Sequence, residues 1–305
     1  MSNKSHYNSG HYELNKMSRE GSKHSSDVEY TVPESVNIML KIDNCLNVLH
    51  NIPDNSIQLI VIDPPYNLDL AHWDAYNNYI DWAKEWIEEA LRVLSPNGNL
   101  VIFGGMQYQG EKSGDLLELL HYTRHETKLR LVNMIIWYYK NGMGAHRFFA
   151  NRHEEIAWFT KTNKYYFDLD SVRVKYDQDT LELYLKDPRL NPNNVEKGKN
   201  PTNVWEIGRL NGNSLERVGH ETQKPLEVIR RVVKSMSYPG SIVLDFFAGS
   251  GTTGIICIEE RRNCILCDSD PRSIDFLNKH IENMKKNIKT STYQFTDNLD
   301  SFFKK

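Results

Sequence analysis

A short apolar run leads directly into an acidic, proline-rich turn in the segment Ile57-Gln58-Leu59-Ile60-Val61-Ile62-Asp63-Pro64-Pro65-Tyr66. Residues 57–62 are rich in β-branched side chains, and their length suits a buried strand. The two prolines end that strand, because proline fixes φ and lacks the amide hydrogen that a sheet needs. The turn is therefore predicted to present a carboxylate and an aromatic ring at the carboxyl end of a strand, where open α/β sheets bind ligands.

A second strand and turn lie far downstream, in Ile242-Val243-Leu244-Asp245-Phe246-Phe247-Ala248-Gly249-Ser250-Gly251-Thr252-Thr253. The pattern predicts a buried strand, a glycine turn and the start of a helix. Gly249 and Gly251 allow the main chain to approach a ligand closely before the helix begins. Asp268 ends the next predicted strand roughly twenty residues later, where a carboxylate can accept hydrogen bonds from both hydroxyls of a ribose.

Together the two segments resemble the amino-methyltransferases that use S-adenosylmethionine to methylate exocyclic nitrogens of DNA bases. The tetrapeptide 63–66 precedes the glycine turn, an order that resembles the beta class common in bacterial restriction-modification systems. The resemblance spans residues 36–285. It implies an α/β fold of the Rossmann-like methyltransferase type, in which helices flank a mostly parallel sheet that a loop-rich target-recognition insertion interrupts.

The pattern of polar and apolar residues divides the chain in a way that agrees with this architecture. Residues 1–35 are polar and show no apolar period, which is typical of a disordered leader. Periodicity predicts helices over 79–94, 225–236, 252–261 and 271–284, and strands over 100–103, 132–139, 154–159 and 263–267. The predicted parts are the leader 1–35, a catalytic part 36–162, the insertion 163–219, a cofactor-binding part 220–287 and a solvated tail 288–305.

Composition excludes several classes of protein. Hydrophobic residues make up 39% and charged residues 25% of the 305 residues, and no apolar run approaches the ~18 residues that a membrane span needs. The N-terminus has no apolar core like that of a secretory signal, so a cytoplasmic protein is expected. Cys264 and Cys267 form a C-x-x-C pair, but no second pair at zinc spacing accompanies them. We therefore predict no metal site and interpret both cysteines as buried strand residues.

The resemblance assigns the catalytic role to Asp63, Pro64, Pro65 and Tyr66. An exocyclic amine is a poor nucleophile because its lone pair is delocalised into the base. Acceptors of its hydrogen bonds draw the nitrogen towards tetrahedral geometry, and we expect the Asp63 carboxylate and the Pro64 carbonyl to act in this way. Tyr66 would stack on the base, which must leave the duplex to reach such a site.

Three further segments are similar to cofactor-binding elements of the family. In His220-Glu221-Thr222-Gln223-Lys224-Pro225, Lys224 and Thr222 would hold the methionine carboxylate. Asp43-Asn44-Cys45-Leu46 aligns with a Gly-Asp-Cys-Leu pattern, so Asn44, or Asp43 in its place, would contact the adenine of the cofactor. Asp270 follows Asp268 and is either a ligand or the N-cap of the next helix. The expected cofactor-binding set is Asn44, Asp63, His220, Thr222, Lys224, Asp245, Phe247, Gly249, Ser250, Gly251, Thr252, Asp268 and Asp270.

Double-stranded DNA is the expected partner, although the net charge of −3 does not by itself indicate nucleic acid. The insertion and the residues before it supply basic and aromatic side chains that can bind phosphates or base edges. The predicted DNA contacts are Arg147, Lys199, Asn203, Trp205, Arg209 and Arg217.

The function expected is methylation of adenine N6, because the family members that methylate cytosine N4 more often carry serine in place of Asp63. Three alternatives remain: a cytosine-N4 enzyme, a non-catalytic nucleic-acid-binding partner with the same fold, and a methyltransferase acting on RNA or small molecules. The resemblance also leaves open a homodimer and a cognate restriction endonuclease as a functional partner.

Overall fold

The computed structural model describes residues 28–67, 78–105, 116–142, 144–147, 149–285 and 292–303. The strands in these ranges are β1 (Ser35–Ile42), β2 (Ile57–Ile62), β3 (Leu94–Gly104), β4 (Arg130–Tyr138), β5 (His153–Thr160), β6 (Val204–Glu206), β7 (Ile242–Asp245), β8 (Asn263–Asp268) and β9 (Thr292–Phe295). The α-helices are α1 (Cys45–Leu49), α2 (Tyr79–Val93), α3 (Leu116–Glu126), α4 (Gln178–Leu185), α5 (Pro192–Lys197), α6 (Leu226–Met236), α7 (Thr252–Glu259) and α8 (Arg272–Lys285).

In the described part of the chain the strands form one sheet in the order β6-β4-β5-β3-β2-β7-β8-β1-β9. β5 is antiparallel to both β3 and β4, and the other neighbouring strands are parallel. The predicted α/β architecture with a mostly parallel sheet is therefore confirmed. None of the helices in these ranges is long and apolar enough to cross a bilayer.

The central strand β2 is buried on both faces, as its unbroken apolar run predicts. Leu59 and Val61 pack with the inner face of α6, whereas Ile60 and Ile62 pack on the other side with Trp86 of α2. Helices thus cover β2 on both faces. This arrangement leaves the carboxyl edge as the place where polar side chains can gather around a ligand.

Two expectations about the ends of the chain need correction. Part of the predicted tail, Thr292–Phe295, pairs in parallel with β1 and extends the sheet. The last residues of the predicted leader also pack on the domain, since the rings of Tyr30 and Tyr238 stack 5.7 Å apart and the Arg261 guanidinium donates to the Pro33 carbonyl. Residues 1–27 of the predicted leader and 288–291 and 304–305 of the predicted tail lie outside the described residues.

The insertion is less separate from the sheet than its loop-rich sequence suggests. It contains α4 and α5, and its strand β6 pairs in parallel with β4, Trp205 lying beside Trp137. Cys264 and Cys267 are fully buried in β8, in agreement with their interpretation as strand residues. Within the described ranges no group of three His, Cys, Asp or Glu side chains is arranged to hold a metal ion.

Candidate active site

The carboxyl ends of β1, β2, β7 and β8 converge on one pocket, because these strands run parallel to one another. Its polar wall contains five carboxylates from four separate segments of the chain. Among the described residues the wall has one lysine, Lys224, one histidine, His220, and no arginine. Burial lowers the pKa of His220 below its ordinary 6.5. The carboxylates are those of Asp43, Asp63, Asp245, Asp268 and Asp270.

The glycine turn after β7 forms the floor of the pocket. Gly249 and Gly251 have φ values of +48° and +77°, in the left-handed region that disfavours other residues. A Cβ atom on Gly249 would lie 3.1 Å from Nε2 of His220, so the absence of a side chain keeps the two segments in contact. The amide of Gly249 donates to Oδ2 of Asp268 over 2.6 Å, which joins the turn to the end of β8.

Burial affects two acidic side chains of this region, of which Asp245 is buried and Asp268 is half-buried. Asp245 at the end of β7 accepts hydrogen bonds from Oγ1 of Thr253 (2.6 Å) and the amide of Phe247 (3.1 Å). Burial outweighs these bonds and raises the pKa of Asp245 to about 7. Burial likewise raises the pKa of Asp268. Both carboxyl groups would gain from a positively charged or hydroxyl-bearing ligand that satisfies them in place of water.

The apolar wall consists of aromatic rings. Phe247 lies 5.6 Å from the rings of both Trp82 and Trp86. Trp86 is fully buried, whereas Trp82 also lines the pocket. A flat heterocycle could therefore be held on this side while polar groups are held on the other.

The predicted tetrapeptide follows β2 at the rim of the pocket. Tyr66 donates its hydroxyl to Oδ1 of Asp63 over 2.7 Å, and the hydroxyl of Tyr79 donates to the Pro65 carbonyl over 2.7 Å. Pro64 is buried beneath the turn. These contacts fix the shape of the turn from both ends, so the Asp63 carboxylate is held at the mouth of the pocket.

Lys224, which the resemblance assigns to the cofactor, forms an ion pair with Asp63 in the structure. Its Nζ lies 2.6 Å from Oδ2 of Asp63, 3.4 Å from Oε2 of Glu154 and 3.5 Å from the Tyr66 hydroxyl. Burial alone would lower the pKa of Lys224, but the two carboxylates outweigh burial and raise it. The ammonium is therefore charged at neutral pH and is shared between two acids.

Sequence reasoning missed Glu154, although it lies at the start of β5 and is the second acid on Lys224. Because β5 runs antiparallel to β3, its amino end reaches the edge where the parallel strands have their carboxyl ends. Burial raises the pKa of Glu154, partly offset by Lys224. The available signal was His153-Glu154-Glu155, a polar start to an otherwise apolar strand.

The remaining predicted cofactor residues lie around the same pocket. Asn44 caps α1 by accepting from the amide of Leu46, and Asp270 accepts from the amide of Arg272 at the start of α8, as its alternative role predicts. His220, Thr222, Ser250 and Thr252 line the wall near Lys224 and the glycine turn. Every expected cofactor residue except Gly251 lines the pocket, and Gly251 is the N-cap residue that precedes α7.

The predicted DNA contacts occupy different environments. Arg147, Lys199, Asn203 and Arg209 are exposed and Arg217 is half-buried. Arg209 is close enough to act on the charge of Glu154, and its guanidinium lies 5.6 Å from the Tyr139 ring centre. Arg217 donates to the carbonyl of Glu221, the neighbour of the pocket residue His220. Asn203 donates its side-chain amide to the Met134 carbonyl.

The assignment of Trp205 to DNA needs correction. Its indole is 5% exposed, packs in the main core and donates to the carbonyl of Thr202. The physical reason is that β6 adds to the sheet and turns this side chain inward, which leaves no face for a base. Arg231 covers the ring at 5.1 Å.

The charge of the pocket distinguishes between ligands that a glycine turn can hold. Such turns often bind pyrophosphates, but the five carboxylates of this pocket would repel them, and Lys224 is already paired with acids. A ligand that carries a sulfonium, an ammonium, a ribose and a purine fits the acidic and aromatic walls. The residues that line the pocket therefore fit S-adenosylmethionine better than a dinucleotide.

Comparisons with known proteins agree with this geometry. Residues 57–279 match the family model of the N6/N4 type described as DNA methylase. The type II methyltransferase M.HpaI of Haemophilus parainfluenzae is 34% identical over 268 residues, covering 86% of this chain and 77% of its own length. The DNA adenine methyltransferase YhdJ of Escherichia coli K12 is 33% identical over 233 residues, covering 73% and 75% of the two chains.

Two solved structures share the fold. The cytosine-N4-specific PvuII DNA methyltransferase superimposes with a TM-score of 0.62 at 19% identity, covering 85% of this chain and 91% of its own. A protein described as a DNA modification methylase from Thermus thermophilus, solved in complex with S-adenosyl-L-methionine, gives a TM-score of 0.57 at 23% identity and covers 86% and 98%.

Proposed function

This chain belongs to the DNA methylase family of the N6/N4 type found in restriction-modification systems, and from that premise we propose that it is a site-specific adenine-N6 methyltransferase acting on duplex DNA. The observation that carries the proposal is the position of Asp63. Its carboxylate stands at the mouth of an acidic pocket and is fixed there by Tyr66 and Lys224.

The proposed cofactor is S-adenosyl-L-methionine, which when bound supplies a methyl group activated by a positively charged sulfur. Asp245 would accept its ammonium group and Asp268 its ribose hydroxyls, while Phe247 and Trp82 would cover the purine. The glycine turn lets the backbone approach without a steric clash. The complex of the Thermus thermophilus neighbour with this cofactor is consistent with the assignment.

The chain's own residues would prepare the target amine. Asp63 and the Pro64 carbonyl would accept its two N–H hydrogens, which concentrates the nitrogen lone pair on the side facing the methyl group. Tyr66 would turn its ring to the extruded base. Since the structure has the Tyr66 hydroxyl bonded to Asp63, base entry would exchange that bond for one from the base.

Adenine is favoured over cytosine by the aspartate that heads the tetrapeptide and by the name of the relative YhdJ, a DNA adenine methyltransferase. We propose that Arg209 and Arg217, beside the mouth of the pocket, contact the phosphates of the duplex. A cognate restriction endonuclease is the proposed functional partner.

Mass spectrometry of nucleosides from plasmid DNA tests the proposal directly. The purified protein and S-adenosylmethionine should produce N6-methyladenine, and the Asp63→Ala variant should not. N4-methylcytosine would retain the class of enzyme and overturn the base assignment. Plasmid and mixed genomic DNA that remain unmethylated would overturn the proposed function.

A further inference from the structure

Glu154 is a half-buried carboxylate at the proposed active site that belongs to neither the tetrapeptide nor the cofactor segments. Its side chain is 13% exposed, and its Oε2 is buried 3.4 Å from Nζ of Lys224. In the described structure that oxygen has no hydrogen-bond partner of proper geometry. An acid held in this way lowers the stability of the fold. Its buried charge loses hydration free energy, and an ion pair at this distance compensates for only part of that loss.

The charges that face Glu154 come from three other segments. Lys224 precedes α6, Asp63 follows β2 and Arg209 follows β6. Asp63 and Glu154 share the one ammonium of Lys224, so this group of three carries a net charge of −1 when all are ionised. Arg209 is exposed, and solvent screens its effect on the buried acids.

We propose that Glu154 is a positioning residue for methyl transfer, which holds the Lys224 ammonium from β5 and gives the catalytic cluster the negative charge that the reaction needs. The inference rests on the proposed function and deepens it. Lys224 then serves mainly to place Asp63, rather than mainly to bind the cofactor carboxylate.

The movement of charge during transfer explains why a net negative cluster helps. A nitrogen–carbon bond forms as the carbon–sulfur bond breaks, and the electrons of the broken bond remain on sulfur, which becomes neutral. The positive charge thereby moves from sulfur to the amine nitrogen, until a proton passes from that nitrogen to Asp63. Without Glu154 the pair of Asp63 and Lys224 would be neutral and would stabilise the arriving charge less.

The same strand supplies a matched control. Glu155 is the next residue of β5, points to the other face of the sheet, is 3% exposed and pairs with His153 at 3.1 Å. Glu154→Gln and Glu155→Gln therefore make the same chemical change at neighbouring positions of β5, the first half-buried and the second buried. Their comparison separates loss of the cluster's charge from general damage to β5.

Single-turnover methylation of duplex DNA at saturating cofactor should be slowed about 10- to 100-fold by Glu154→Gln, the effect of one unit charge several ångströms from the reacting atoms at an effective dielectric constant near 20. Glu155→Gln should stay within about threefold of wild type. Glu154→Asp, which keeps the carboxylate, should recover part of the rate. The dissociation constant of S-adenosylmethionine, measured by calorimetry, should change less than about threefold in all three variants.

A measurement without cofactor tests the ionisation of Glu154 itself. Its pKa in the folded protein is raised above the ordinary 4.5, mainly by burial, so this group lowers stability as pH rises from about 4.5 to the folded pKa. Glu154→Gln lacks that loss. The melting temperature of Glu154→Gln minus that of wild type should therefore increase over this pH range, and that of Glu155→Gln should not follow the same course.

Three results would overturn the inference. The first is an unchanged methylation rate in Glu154→Gln with an active wild type, and the second is an equal loss in Glu155→Gln. The third is a weakening of cofactor binding as large as the loss of rate, which would return Lys224 to the cofactor. A wild-type protein that makes no methylated base refutes the proposed function and the inference together.

Discussion

Replacing Asp245 with asparagine should remove a pH dependence of cofactor binding that the burial of this side chain creates. Asp245 is 6% exposed, and burial raises its pKa to about 7 even though Thr253 and the amide of Phe247 donate to it. The proposed ligand carries an ammonium group, which binds an ionised carboxylate better than a protonated one. Cofactor binding should therefore be coupled to loss of a proton from Asp245.

The size of the effect follows from the raised pKa. With a pKa of about 7, Asp245 is ionised in about 3% of molecules at pH 5.5 and about 90% at pH 8. If binding requires the ionised form, the apparent dissociation constant is divided by the ionised fraction. Binding should then be about 30-fold weaker at pH 5.5 than at pH 8, or about 2 kcal/mol.

Isothermal titration calorimetry of S-adenosylmethionine from pH 5.5 to 8 measures this directly, and the protons released can be counted from the buffer dependence of the heat. Asp245→Asn should bind weakly at all pH values with a nearly flat profile. Asp268→Asn is the comparison variant, because it removes a half-buried carboxyl of the pocket but keeps Asp245. It should retain a pH dependence with its midpoint shifted to lower pH, since the charge of Asp268 helps to raise the pKa of Asp245. A wild-type profile that changes less than about threefold, or an equal slope in Asp245→Asn, would refute the reasoning.

Three other substitutions test separate parts of the site. Asp63→Ala should reduce transfer of a tritiated methyl group to background while the cofactor dissociation constant changes less than about tenfold, and turnover near that of wild type would contradict its role. Gly249→Ala should weaken cofactor binding roughly tenfold, as measured by equilibrium dialysis. A residue with a Cβ atom is strained by about 1–2 kcal/mol at φ +48°, and that atom would lie 3.1 Å from His220. Unchanged affinity would show that the turn tolerates a side chain. Arg209→Ala should weaken duplex binding and lower the salt slope by about 1, whereas Arg189→Ala, which removes an exposed arginine of the insertion paired with Asp187, should do neither, and equal effects would refute a specific contact.

The sequence was most informative where a single strand and the turn after it contain the whole recognisable pattern. The turn after β2 and the glycine turn after β7 were both recognisable, because each follows an unbroken apolar run and ends in residues that break a strand. That the two strands are neighbours, with Leu59 beside Val243, depends on contacts across most of the chain and has no local signature.

The direction of each strand in the sheet and its pairing register could not be predicted from the sequence. Glu154 reaches the site only because β5 is antiparallel, and the register decides that Glu154, and not Glu155, faces Lys224. Trp205 shows the same limit in the opposite sense. Trp205 lies in a polar, proline-containing segment whose composition is typical of nucleic-acid contacts. The pairing of β6 with β4 nevertheless buries its side chain.

The acids of the pocket divide into two groups that solve different electrostatic problems. Asp245 and Asp268 lack a nearby lysine or arginine partner among the described residues, so burial raises the pKa of each, and a cationic, hydroxyl-bearing ligand can satisfy both. Asp63 instead shares Lys224 with Glu154, so it has a cationic partner before any ligand arrives. In the proposed reaction the first group would make cofactor affinity sensitive to pH, whereas the second would hold Asp63, the proposed catalytic carboxylate, in place for a base that arrives later. If Lys224 were paired with the acids at the cofactor instead of with Asp63, Asp63 would stand unpaired at the solvent-exposed mouth and the acids at the cofactor would be neutralised. Neither cofactor binding nor the positioning of Asp63 would then be favoured.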